Sequence, residues 1–299
     1  MYKPIMNRIL ITVKIILLLF GIVSCSTDID YNPPAIPRSL AAYSILKTDS
    51  ILSVLVTKTQ GLNDKDVAYI SDATVKIYDE HDLLLDSALY TESGEYLSSY
   101  KVVANQKLTI KVEAPGFKSV SASDYSPSKT EIKEASYQED YEYDAVDDYM
   151  YGLITLTFQD NPNEKNYYEI VILVDQMNGS FWRVTPFIVS NEFMNIHSHE
   201  GNKPKSILFN DALFNGKEVV LRIKAQAGSS MPYIILRNTS ETYYRYQNSL
   251  YSYLFTVPEK SDGFFTVEPV NLYTNIKDGF GIIAGYNQSE YQIIKIEEE

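Results

Sequence analysis

Apolar and polar residues alternate along most of this chain, and the alternation predicts β-strands. In residues 73–77 and 108–112 the apolar side chains occupy every second position, so they lie on one face of a sheet. Glycine turns, at Gly94 and Gly116 for example, separate such segments with the spacing of a small sandwich. Residues 40–125 are therefore predicted to form a β-sandwich.

Residues 149–299 continue the pattern in segments rich in β-branched and aromatic side chains. Asn215-Gly216 is a hairpin signal between two of these segments. We predict a second, larger antiparallel β domain here, and the predicted fold class of the whole chain is mainly β.

One segment of the second half departs from the alternation. From Tyr243 onward apolar residues recur at spacings of three and four, and Asn238 with Glu241 three positions later has the pattern of a helix start. Because a helix does not continue into Pro258, we predict one helix over about residues 239–255, packed on the sheet.

Residues 126–148 concentrate acidic and tyrosine side chains. A calcium-binding loop that starts at Asp140 would need glycine at its sixth position and an acidic residue at its twelfth, where the chain has Ala145 and Tyr151. We therefore predict an acidic, tyrosine-rich linker between the two domains. A nonstandard cation site in this linker is the open alternative.

The N-terminus has the pattern of an export signal. Basic residues precede an apolar run at residues 15–23, and Ser24 separates the run from Cys25, the only cysteine of the chain. The run is shorter than the roughly 20 residues that span a bilayer. We predict a lipoprotein signal peptide at residues 1–24 and lipid attachment at Cys25. A free thiol or an intermolecular disulfide is the alternative for a lone exported cysteine.

Residues 25–39 contain three prolines and two aspartates without periodicity, which predicts an extended tether. Asp28 and Asp30, just behind the predicted lipid, also resemble the surface-export signal of Bacteroidota lipoproteins. A solvated linker without such a signal explains the same residues.

The chain is strongly acidic. Without the three basic residues of the predicted signal peptide, its formal net charge of −13 becomes −16, which makes nucleic acid and anionic lipid poor partners. The negative charge either keeps the protein soluble or attracts cationic ligands. The 25 tyrosines suit half-buried sheet faces, and some of them are candidates for a binding surface.

Candidate catalytic and metal-binding residues are few. His197 and His199 on a strand would point to one face and could bind a metal with Glu192 or Glu200, but their neighbours are typical of an exposed loop. The chain has no Gly-x-Ser-x-Gly motif and no phosphate-binding glycine loop. We predict neither an enzyme nor a cofactor or metal, and only Cys25 is assigned as a site residue.

The predicted strand at 73–80, the turn Gly94-Glu95-Tyr96 and the predicted strand at 108–117 follow one another as in transthyretin-like and carboxypeptidase-regulatory-like modules. The resemblance implies a transthyretin-like or immunoglobulin-like sandwich for residues 40–125. Such a module carries no chemistry itself.

Further motifs extend a resemblance over nearly the whole chain. They are Phe158-Gln159-Asp160, Asn166-Tyr167-Tyr168, Phe209-Asn210-Asp211, Phe214-Asn215-Gly216, Tyr243-Tyr244 and the block at residues 275–285. In this order they resemble a Bacteroidota outer-membrane lipoprotein family known as domain of unknown function 4249, from which the chain departs at Ile283. The glycines of the last block also predict a tight turn with backbone packed on backbone, and Asp211 and Asn275 are placed to hydrogen-bond the backbone beside turns.

The resemblance implies a location and a partner rather than a reaction. Members of the family resemble outer-membrane lipoproteins encoded beside TonB-dependent receptors. We therefore expect a lipid-anchored protein on the exterior of the outer membrane, acting as a non-catalytic binding or capping subunit of a TonB-dependent nutrient transporter. The alternatives are a structural or adhesive surface lipoprotein without a small-molecule ligand and, third, a surface hydrolase.

Overall fold

The computed structural model describes residues 37–61, 64, 66–146, 148–175, 182–184, 187–189, 206–256 and 270–294, which contain sixteen β-strands and one α-helix. The elements are β1 Leu40–Lys47, β2 Ile51–Lys58, β3 Thr74–Tyr78, β4 Leu84–Tyr90, β5 Glu95–Lys101, β6 Lys107–Glu113, β7 Val120–Tyr125, β8 Ile132–Asp144, β9 Tyr149–Gln159, β10 Tyr167–Asp175, β11 Trp182–Val184, β12 Phe187–Val189, β13 Ser206–Asn210, β14 Glu218–Ala225, β15 Tyr233–Thr239, α1 Glu241–Thr256 and β16 Phe280–Gln292. The predicted mainly β class is confirmed.

The first seven strands surround a first core. They are hydrogen-bonded in the order β1-β2-β5-β4-β3-β6-β7. Their inward side chains, among them Leu52, Val54, Ile77 and Ile110, are buried together. Because burying one such side chain stabilises the fold by about 1.5–3 kcal/mol, the alternation that located β3 and β6 reflects the main driving force for their formation.

The C-terminal strand β16 connects this first sheet to the second half of the chain. Its first residues pair in parallel with β1, with Phe280 opposite Ala41, and its last residues pair antiparallel with β15, with Gln292 opposite Tyr233. Pro37–Glu299 form one compact unit. The sequence pattern did not predict this arrangement, because no local turn closes a parallel strand pair.

The predicted linker at residues 126–148 is wrong, because most of it is strand β8. This strand pairs with β9 from Ile132 opposite Phe158 to Asp144 opposite Tyr149, and its register shifts after Ile132 and again after Gln138. β8 lies at the edge of its sheet, and most of its side chains are exposed. Charged side chains on an exposed edge strand oppose aggregation. Because of these charges, the segment has the composition of a linker although it is paired with β9.

A second core lies between two sheets. One contains β10, β11, β13, β15 and the end of β16, and the other has the order β12-β14-β9-β8. Buried side chains of both sheets, including Ile154, Phe158, Tyr168 and Ile170, fill the space between them. Two sheets facing across a shared apolar layer form a sandwich, whereas the sequence predicted only an antiparallel β domain for this half.

The predicted helix is confirmed as α1, with a different N-cap. Ser240 Oγ accepts a hydrogen bond from the Tyr243 N–H (3.1 Å), whereas Asn238 belongs to β15 and donates its side-chain amide to the Ser128 carbonyl (2.9 Å). Tyr243 packs with Ile282 and Ala284 on one face of β16. Within the described residues no helix has the length and apolar composition that crossing a membrane requires.

Candidate functional site

An open cleft lies on the outer face of β1 and β2. It has a volume of about 500 Å³, and Tyr43, Leu55 and Tyr69 line it together with the carboxylates Glu92 and Glu95. We refer to these five residues as the Tyr43 cleft. The two tyrosine side chains are 38% and 49% exposed, so their rings are available for contact with a ligand.

Strand register brings these residues together. Tyr43 lies opposite Leu55, and Leu55 lies opposite Glu95 on β5. Directly opposed residues of antiparallel strands point to the same face, so the three side chains form one row across the sheet. Their neighbours in the sequence point inward to the first core, which fixes the row on the outer face.

Gly94 allows the turn before β5 to approach the cleft. Its φ is +77°, and a Cβ atom there would lie 2.6 Å from the Val56 carbonyl oxygen and 2.8 Å from the Tyr69 ring. Glycine is the residue that accepts both the positive φ and the close approach. The position of Tyr69 against this turn therefore depends on Gly94.

The cleft combines aromatic rings, an apolar floor and negative charge. Burial raises the pKa of the Tyr43 hydroxyl, and the neighbouring Tyr246 and Tyr286 raise it further. The Tyr43 hydroxyl therefore remains a hydrogen-bond donor at neutral pH. No salt bridge to Glu92 or Glu95 is present among the described residues. Such a surface can bind by stacking, apolar contact and attraction of cations.

Most motif residues from the sequence have structural roles in the second core. The Tyr168 hydroxyl donates to Asp160 Oδ1 (2.6 Å), and the Gly216 N–H donates to Asp160 Oδ2 (2.6 Å). The Asn166 N–H donates to Asp211 Oδ2 (2.7 Å), as predicted for an aspartate beside a turn. Burial raises the pKa of Asp160, which is 1% exposed.

The block at residues 275–285 fixes β16 against its neighbours. The Asn275 side chain donates to the Ile283 carbonyl (2.8 Å) and accepts from the Ile283 N–H (3.0 Å), which confirms its predicted bonding to the backbone. Gly281 has a φ of +100°, and a Cβ atom there would lie 2.0 Å from the Ala42 carbonyl oxygen. The predicted contact of backbone on backbone is therefore present.

A buried ion pair lies beside helix α1. Arg237 Nη1 contacts Glu169 Oε2 at 2.7 Å, and the Tyr243 hydroxyl donates to the same oxygen (2.9 Å). The Ser206 hydroxyl donates to Glu169 Oε1 (2.7 Å) and is also hydrogen-bonded to Tyr251. The Glu169 side chain is 4% exposed, so this network joins β10, β13, β15 and α1 inside the protein rather than at its surface.

A further buried carboxylate, Asp124, was not recognised in the sequence. Its Oδ2 accepts hydrogen bonds from the Ser240 hydroxyl (2.5 Å) and the Gly285 N–H (3.0 Å), so it joins β7, the start of α1 and β16. Burial raises its pKa to about 6, against the hydrogen bonds, which lower it.

This pKa predicts a pH dependence of stability. The Asp124 carboxyl has a pKa of about 6 in the folded protein and about 3.8 in the unfolded chain. The folded state therefore loses free energy of stabilisation as the pH rises from 4 to 6, by about 3 kcal/mol in total. Asp124→Asn lacks this titration. From pH 4 to pH 6 we therefore expect the unfolding free energy of wild type to fall by about 3 kcal/mol relative to that of the Asp124→Asn variant. Urea unfolding at pH 4, 5, 6 and 7 measures it. A constant difference across these pH values would contradict the assignment.

The remaining predicted residues are distributed as follows. Cys25, His197 and His199 lie outside the described residues. The described residues contain no group of three His, Cys, Asp or Glu side chains that could hold a metal ion. His81 is exposed beside Glu80, with 3.6 Å between Nε2 and Oε1.

Sequence reasoning assigned no ligand-binding residue and missed the Tyr43 cleft. The signal that could have located it lies in residues 51–56, of which all but Ser53 are apolar. A half-exposed strand should alternate, so this run indicates a strand that presents apolar side chains on both faces.

Likeness to solved structures is weak. Salmonella alpha-2-macroglobulin matches with 12% identity over 73% of this chain and 15% of that chain, with a TM-score of 0.23. The native E. coli alpha-2-macroglobulin matches with 10% identity over 69% of this chain and 13% of that chain, with a TM-score of 0.22. The Fcho1 Mu homology domain of Danio rerio, with bound Eps15 peptide, matches with 7% identity over 86% of this chain and 96% of that chain, with a TM-score of 0.23. This chain thus spans a small part of the alpha-2-macroglobulins, and scores this low transfer neither fold nor function.

No curated protein matches the sequence. A family model described as "Domain of unknown function (DUF4249)" matches residues 26–292, which is nearly the whole chain. The matched range includes the buried Asp160 and Glu169 networks and the glycine block of β16. The chain belongs to the DUF4249 family.

Proposed function

We propose that this protein is a lipid-anchored surface protein of the outer membrane that acts as a non-catalytic binding or capping subunit of a TonB-dependent nutrient transporter. The anchor rests on the export-signal pattern that ends at Cys25. The receptor partner rests on the family resemblance. Two acyl chains or more on one cysteine would hold the body stably at a membrane.

The observation that carries the binding role is the Tyr43 cleft. Its rings, apolar floor and carboxylates are exposed, whereas the polar groups of the Asp160–Tyr168 and Arg237–Glu169 pairs are mostly buried and hydrogen-bonded within the protein. A reaction site needs convergent titratable groups in a cleft. Here the titratable groups with strongly shifted pKa values, such as Asp124 and Tyr168, serve to join strands.

The test is co-purification. The native protein is isolated from gently solubilised outer membranes, and mass spectrometry identifies what accompanies it. We expect a TonB-dependent receptor in near-equal amount. Recovery of the lipoprotein alone, from cells in which the receptor is abundant, would overturn the accessory role and favour the structural or adhesive alternative.

A further inference from the structure

The apolar surface of the Tyr43 cleft continues across the sheet. Ser53 of β2 lies opposite Leu97 of β5, and Leu97 lies opposite Leu89 of β4. Leu89 is 74% exposed, Leu97 is 43% exposed, and Ile51 at the start of β2 is 58% exposed. We call Ile51, Leu55, Leu89 and Leu97, together with the two cleft tyrosines, the apolar face.

This face departs from the usual pattern of an antiparallel sheet. One side of such a sheet commonly packs on the core while polar residues cover the side in water. Here the inward residues of β2, Leu52 and Val54, are fully buried, and apolar residues also occupy outward positions. Clustered, exposed apolar side chains of this kind mark interaction sites.

The charge differs between the two ends of the apolar face. At the cleft end Glu92 and Glu95 have no salt bridge among the described residues. At the other end Lys101, opposite Ile51, already contacts Asp49 with 3.2 Å between Nζ and Oδ1. The charge left available to a partner is therefore negative, which excludes phosphate or other anions as the favoured ligand.

We infer that the apolar face binds a protein segment in which lysine or arginine side chains lie among apolar ones, with the cations at Glu92 and Glu95. This rests on the proposed function and specifies its partner as polypeptide rather than sugar. Leucine and isoleucine side chains offer a sugar no hydrogen bonds and would remove water from its hydroxyl groups. A second copy of this chain would bring its own acidic cleft and a Lys101 that is already paired.

The test uses two labelled nine-residue peptides, one alternating lysine with valine and leucine, the other with glutamate in place of lysine. Their binding to the full-length protein is measured by fluorescence anisotropy. We expect the basic peptide to bind and the acidic one not to bind. Glu92→Gln with Glu95→Gln should weaken binding about tenfold, because two ion pairs of modest strength are lost.

Matched variants separate this site from general acidity. Glu134→Gln with Glu139→Gln removes the same charge from exposed positions of β8 and should leave binding unchanged. Leu89→Ser changes a side chain that is largely in water, so it should fold normally and weaken binding several-fold. Circular dichroism confirms folding of each variant.

Several results would overturn the inference. They are absence of binding, equal weakening by the two glutamine pairs, competition by maltoheptaose, and a wild-type dimer in light scattering that Leu89→Ser dissociates. If the receptor co-purifies while the basic peptide fails to bind, the inference is wrong and the proposed function stands. If the peptide binds while no receptor co-purifies, the inference stands and the proposed partner is wrong.

Discussion

Gly281→Ala is expected to destabilise the protein by about 4 kcal/mol or more, an exceptional value for the addition of one methyl group. The new Cβ would lie 2.0 Å from the carbonyl oxygen of Ala42, a backbone atom of the paired strand β1, and φ at this position is +100°. Because β16 connects the two halves of the sheet, relief of this clash requires separation of β16 from β1. Urea unfolding of purified protein measures the loss of free energy.

Gly116→Ala is the matched control. Gly116 also has a positive φ, +79°, but no atom lies within 4 Å of a Cβ built there. Gly116→Ala should therefore lower the unfolding free energy by only about 1–2 kcal/mol, the strain of an alanine in a left-handed backbone conformation. Equal losses for Gly281→Ala and Gly116→Ala would show that the close approach of β16 to β1 is not needed for stability.

Arg237→Met is expected to cost about 3–5 kcal/mol, because it leaves the buried Glu169 carboxylate without its cation. The Glu169 side chain is 4% exposed and that of Arg237 20% exposed. Tyr243 and Ser206 continue to donate hydrogen bonds to Glu169, but neither carries a compensating charge. Thermal and urea unfolding measure the effect.

The exposed pair Arg245 and Glu241 on α1 provides the control. Its contact is shorter, 2.5 Å, but both side chains are about half exposed, so water screens the pair and Arg245→Met should destabilise the protein far less than Arg237→Met. The double variant Arg237→Met with Glu169→Leu removes both charges and should recover much of the lost stability. An Arg237→Met protein as stable as Arg245→Met would contradict the role of the buried pair.

The periodicity of apolar residues predicted elements that bury one apolar face in a core. The alternation at residues 73–77 and 108–112 predicted β3 and β6, and the three- and four-residue spacing after Asn238 predicted α1. The N-cap was displaced to Ser240 because Asn238 is held in β15 by pairing with Tyr168. Competition between strand pairing and helix capping is not visible in the sequence of the helix itself.

Two features depended on distant parts of the chain and were not predictable in this way. The composition of residues 126–148 indicated a linker, but β9 supplies the hydrogen bonds that make the segment a strand. The Tyr43 cleft requires the registers of β1 with β2 and of β2 with β5. The apolar run at residues 51–56 signalled a strand with two apolar faces but not what lies beside it.

Under the proposed function, the apolar face is the surface that contacts a TonB-dependent receptor. The most direct measurement compares how much receptor co-purifies with three proteins. They are the wild type, an apolar-face variant that carries Leu89→Ser, Glu92→Gln and Glu95→Gln, and a control variant that carries Glu134→Gln and Glu139→Gln on β8. We predict near-equal receptor with wild type and with the control, and little receptor with the apolar-face variant. Equal recovery with all three proteins, or no receptor with wild type, would contradict the account.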